Sequence, residues 1–140
     1  MLRYLNIPLL ATAFAVPNAH ALDSAPAAFL NKLRSFAGAN ARDCGFVRLV
    51  DDHAAAVACA RDATSAGKAY ALAIQFQGVD SLVWQGAARD EHGKLWVLYY
   101  DSDPAGGGAT PTLSAVPCQE IRFEVQGGDV IDCQPISGAR

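Results

Sequence analysis

Catalytic and cofactor motifs are scarce in this chain. There is no CxxC pair, which removes a thioredoxin-type redox centre and the commonest zinc framework. No serine sits in a G-x-S-x-G elbow. The run Gly106-Gly107-Gly108 is not followed by Lys-Ser or Lys-Thr, so it is not a phosphate-binding loop. Basic residues are few: Lys+Arg is 11 against 14 Asp+Glu, a net charge of −3. Such a balance argues against a nucleic-acid binder, which needs a basic face for the phosphates. Only 18% of residues are charged while 51% are hydrophobic, a composition that builds a core rather than a disordered tail. With 140 residues there is material for one domain. No internal repeat is visible.

The one long apolar run is N-terminal. Arg3 is followed by an apolar stretch over residues 5–16 and then by Ala19-His20-Ala21, a small-x-small cleavage site. The stretch is too short for a bilayer, which needs about 20 residues. Residues 1–21 therefore read as a secretory signal peptide removed after Ala21, leaving a single secreted domain over 22–140. The destination is the periplasm or the exterior, and the mature form has no membrane span.

In an oxidising compartment Cys44, Cys59, Cys118 and Cys133 are read as disulfide formers. Four cysteines allow three pairings. Nearest-neighbour pairing closes two loops of equal span, each stabilising by about 3 kcal/mol in the chain-entropy model. A metal site is disfavoured by the spacing and by the two histidines, His53 and His92, beyond residue 21. One local argument opposes Cys118–Cys133. If Gly127-Gly128 form a two-residue hairpin, Cys133 faces Arg122 and lies about 13 Å of strand away from Cys118. The pairing then requires the chain to bend near Pro117.

Pro26 suits a first helical turn, and Phe29, Leu30, Leu33 and Phe36 share one helical face, predicting a helix over 25–37 that stops at Gly38. A short extended piece follows from Cys44. Asp51 or Asp52 caps an alanine-rich helix over 53–66, ended by Gly67. Tyr70, Leu72, Ile74 and Phe76 alternate as a strand. Further strands are predicted over 82–88, 94–100, 113–116, 121–125 and 130–134, with a Gly- and Pro-rich loop over 101–112. Segregated helices followed by hairpins predict an α+β domain: one or two N-terminal helices on an antiparallel sheet of four to five strands, stapled by disulfides. By shape alone this order resembles cystatin-like inhibitor folds; no motif accompanies the likeness, and fold does not imply function.

Among candidate sites, Asp101-Ser102-Asp103-Pro104-Ala105-Gly106 begins like a calcium loop, but Ala105 and Thr112 fall where oxygen ligands belong. Asp80, Asp101 and Asp103 could meet at strand ends as acid and base of a small hydrolase. If the 82–88 and 94–100 strands pair with residue 84 opposite 98, then Trp84, Trp96, Leu98 and Tyr100 share the face under the helices. Tyr99, with Gln75 and Gln77, then marks a barer face. Aromatics beside amides suit protein contacts. The candidate binding residues are thus Trp96, Tyr99, Gln75, Gln77, Asp101 and Asp103, with no catalytic residue, metal ligand or cofactor assigned. The expected function is an exported, non-enzymatic protein-binding domain: an inhibitor, an immunity-type protein or an envelope adaptor, whose partner is another protein of the envelope or exterior. A small secreted hydrolase or a small-ligand carrier is the alternative.

Overall fold

A computed structural model describes residues 26–123 and 131–137. The expected signal segment and the Gly127-Gly128 turn lie outside the described residues. The order of elements is α1 (Ala27–Ala37), β1 (Arg42–Val47), α2 (Ala54–Ser65), β2 (Tyr70–Gln77), β3 (Leu82–Arg89), β4 (Leu95–Asp101), β5 (Thr112–Phe123) and β6 (Ile131–Pro135). The strands form one sheet in sequence order, β1-β2-β3-β4-β5-β6. The α+β expectation holds, but the sheet has six strands and is mixed. β1 runs parallel to β2 through the α2 crossover, and every later pairing is antiparallel.

The helices do not share a face of the sheet. α1 packs with Phe29, Leu33 and Ala37 against Ala71, Ala73, Trp84, Ala88 and Leu98, flanked by Trp96 and Tyr100. α2 packs with Ala56, Val57, Ala60 and Ala63 against the opposite face, over Tyr70, Leu72 and Ile74. Both sides of β2 are therefore buried for most of its length. The reason lies in side-chain size. Ala71, Ala73, Gly86 and Ala88 leave a shallow strip on one face, and a helix can approach a sheet closely there. The alanines of α2 allow the same on the other face.

β5 is long and bent, and its outer end folds over the α2 side. Gln85 Nε2 donates to Ile131 O at 2.7 Å, and Arg61 donates to Phe123 O. Phe123 and Ile131 are buried there beside Val97 and Tyr70. This bend settles the second disulfide. The β5–β6 register shifts between Cys118 and Glu120, and Cys133 pairs with Ile121 rather than Arg122. The extra residue reverses the strand's alternation. Cys118, Ile121 and Phe123 consequently all meet the same core. Cys118 reaches Cys133 with a Cα–Cα distance of 5.5 Å; Cys44 reaches Cys59 at 5.6 Å. Disulfides of this kind belong to an oxidising, extracellular type of environment. No helix among the described residues is long and apolar enough to cross a membrane.

Candidate functional site

β1 and β2 end, β3 begins, β4 ends and β5 begins at the same end of the sheet. Three connections gather there: residues 48–53, 78–81 and 102–111. Four of the seven large hydrophobic side chains exposed among the described residues lie at this end: Phe46 at 50%, Leu49 at 43%, Val50 at 82% and Val79 at 97%. Phe46 is set edge-on to Trp84, with ring centroids 6.2 Å apart.

Local hydrogen bonds hold these side chains out. The Arg48 backbone N–H and guanidinium both donate to the Asp51 carboxylate, at 3.1 to 3.3 Å, and Asp51 N–H returns a bond to Arg48 O at 3.0 Å. The Arg48 side-chain bond, followed by its backbone N–H, holds the Asp51 carboxyl below the usual range. Leu49 N–H donates to Gln75 Oε1 at 3.0 Å, tying the loop to β2. Asp52 accepts from Ala54 N–H at 2.9 Å and so supports the start of α2. The 78–81 turn closes through Gly78 N–H to Ser81 O at 2.9 Å, and Gln77 Nε2 donates to Gly78 O and Ser81 O. Cys44–Cys59 anchors the loop between them covalently. The loop therefore presents apolar groups with little freedom left to lose on contact, the condition under which binding costs least.

The sequence-predicted binding residues are divided by the fold. The register runs Gln75↔Trp84↔Tyr100, so Gln75 and Gln77 lie on the α1 face and Tyr99 on the other. They do not form one bare surface, because alternation along β4 puts Tyr99 and Tyr100 on opposite sides. Gln75 is buried, with Oε1 on Leu49 and Nε2 unpartnered among the described residues. Trp96 lies against Phe36 of α1, ring centroids 4.3 Å apart. Tyr99 is exposed on β4 opposite Ser114.

Asp80, Asp101 and Asp103 do converge, around an open cavity of about 270 Å³ that Ser81 also lines. Two of these carboxylates are occupied in shaping the loop. Asp101 accepts from Asp103 N–H at 2.9 Å, and Asp103 accepts from Gly108 N–H at 2.8 Å and Ala109 N–H at 2.7 Å. Among the described residues no group of three or more His, Cys, Asp or Glu is arranged to hold a metal ion. A larger cavity, about 510 Å³, opens at the opposite end of the sheet between Arg42, Lys68, Asp62 and Glu91. Its charges are of both signs, and Glu91 is engaged by Asn40 Nδ2 at 2.9 Å.

Sequence reasoning missed Phe46, Leu49, Val50 and Val79. Their signal was present as apolar residues at a strand end and in turns, where polar residues are usual. No protein-family model, no curated protein and no solved structure matches this chain.

Proposed function

We propose that this protein is an exported, non-enzymatic binding domain of the periplasm or exterior whose partner is another protein. The loop end bearing Phe46, Leu49, Val50 and Val79 is its contact surface. The observation that carries this reading is the concentration of exposed apolar side chains on hydrogen-bonded, disulfide-anchored loops. Contiguous exposed apolar groups mark interaction surfaces. Aromatic Phe46, backed by buried Trp84, is the natural anchor. An inhibitor, an immunity-type protein or an adaptor would each use such a surface.

The test is affinity capture from envelope and culture extracts with the oxidised protein as bait. A stoichiometric partner retained by wild type and lost with Val50→Asp and with Val79→Asp supports the reading. Both side chains are so exposed that the fold is unaffected, which circular dichroism checks. A partner retained equally by both variants refutes the surface.

A small secreted hydrolase is the second reading, favoured by the convergence of Asp80, Asp101 and Asp103 on one cavity. Asp80 makes none of the loop-shaping bonds that occupy the other two, so Asp80→Asn separates chemistry from structure. Turnover of a glycan substrate that disappears in this variant would support it.

A further inference from the structure

Leu113, another of the exposed large hydrophobics, lies on β5 and marks a different feature, the edge of its first half that no described strand covers. The inner half of β5, from Thr112 to Pro117, pairs with β4 on one side, while β6 pairs with the strand only from Cys118 onward. Ile136 N–H donates to Pro117 O at 3.4 Å, which closes the β6 side. This bond also sets the phase of the strand. The N–H and C=O of one strand residue point the same way, and the direction alternates. Since Pro117 O points away from β4, so do the main-chain groups of Ala115 and Leu113. Among the described residues no backbone hydrogen bond accounts for them. Thr112, Ser114 and Val116 turn theirs toward β4.

Natural edge strands are blunted by charge, proline, bulges or inward lysines. This one carries no charged residue from Ala105 to Gln119 and no bulge before Cys118. Its two prolines, Pro111 and Pro117, stand three residues either side of Ser114.

We infer that this edge pairs antiparallel with the same edge of a second copy, about a two-fold axis at Ser114. In that register Leu113 stands opposite Ala115 of the other copy, and Ala115 opposite its Leu113. Each of these two pairs exchanges two N–H···O bonds, four in all. Ser114 meets its symmetry mate in the intervening non-hydrogen-bonded position. Thr112 meets Val116. Pro111 meets Pro117, so a donor is missing only where the window ends. Each copy sets a large Leu113 against a small Ala115, with no like charges opposed. Closed two-fold association of this kind is the commonest oligomer symmetry, and it abolishes the open edge. A second copy is favoured over a foreign strand because the segment is self-complementary in donors, in side-chain size and in the placing of its prolines. The loops bearing Phe46, Leu49, Val50 and Val79 lie on the β1–β3 side of the sheet and are left free, so this inference does not rest on the binding function proposed above.

The experiment is sedimentation equilibrium on the purified oxidised protein, from micromolar to millimolar concentration. Wild type is expected to show a reversible monomer–dimer equilibrium. Ser114 is exposed, so Ser114→Lys and Ser114→Glu leave the fold intact, as near-ultraviolet dichroism will report. Each variant alone places two like charges face to face on the axis and is expected to weaken the dimer by about two- to fivefold. An equimolar mixture of the two is expected to form a heterodimer at least as tight as wild type. A wild type that stays monomeric to millimolar concentration overturns the proposal. So does a dimer unmoved by both substitutions, or a mixture that remains monomeric.

Discussion

Gly86→Ala tests the central feature of the α1 face. A Cβ at this position would lie 2.8 Å from Leu33 Cδ1, 3.0 Å from Phe29 Cζ and 3.2 Å from Leu33 Cδ2. Carbon atoms settle at about 3.5–4.0 Å. Phe29 and Leu33 are buried, so their side-chain ends can give way only by disturbing the packing around them. The added methyl must therefore lift α1 or force Leu33 out of its rotamer. Overpacking of this kind costs about 1–3 kcal/mol. For a domain of this size that lowers Tm by about 4–12 °C. Urea unfolding followed by tryptophan fluorescence reads it as a lower midpoint at unchanged slope. Leu33→Ala alone loses a buried side chain and costs about 2–5 kcal/mol. The double variant clears the clash, so it should be more stable than the sum of the two costs predicts by about 1 kcal/mol or more. A wild-type midpoint for Gly86→Ala, or strictly additive costs, would refute the account of how α1 docks.

Two further outcomes are expected. Burial raises the Tyr70 hydroxyl above its ordinary pKa, with the Thr64 side chain and the Arg89 charge pulling the other way without cancelling it. The unfolded chain therefore loses this proton first as pH rises, and the stability tied to it is present below the unfolded value near 10.0 and lost above it. Tyr70→Phe should remove that alkaline loss, and because the Tyr70 hydroxyl makes no well-formed hydrogen bond among the described residues, Thr64 Oγ1 being turned to Ala60 O, it should cost under about 1 kcal/mol at neutral pH; urea midpoints across the alkaline range check both. Each disulfide closes a loop of 15 residues, so Cys44→Ala/Cys59→Ala and Cys118→Ala/Cys133→Ala should each cost about 3 kcal/mol in the same assay.

Local pattern was legible where one residue type decided the outcome. The Phe29, Leu33, Phe36 spacing located α1, observed as Ala27–Ala37 against a predicted 25–37. Alternation located β2, and Asp90 shapes the predicted β3–β4 turn by accepting from His92 N–H and Lys94 N–H, both at 2.8 Å. The β3–β4 register differs by two residues from the predicted one, Trp84 pairing with Tyr100 rather than Leu98. An even slip preserves the face of every side chain, so Trp84, Trp96, Leu98 and Tyr100 remain together. What sequence did not reveal were long-range choices. Nothing local to Arg42–Val47 says that it joins β2 in parallel as a further strand. Pro117 read as a break between two strands. It sits within β5 because its missing N–H falls on the side away from β4, where no ladder bond is lost. The candidate binding residues fall on two faces for a related reason. Gln75 and Tyr99 are neighbours in space across three strands, yet parity puts them on opposite sides of the sheet.

The two cores differ in how they are fastened. All four cysteines belong to the α2 side, and the α1 side holds no covalent link. α1 has 11 residues and no side-chain hydrogen bond capping its start, too little to persist as a helix in isolation. α1 is therefore expected to open at a lower free energy than the stapled remainder, as amide hydrogen exchange would report. Opening of this kind would bare Trp84 and the small-residue strip beneath it. Biogenesis inherits the same asymmetry. The strands that receive α1 all follow it in the chain, so α1 has nowhere to dock until β2, β3 and β4 have been made.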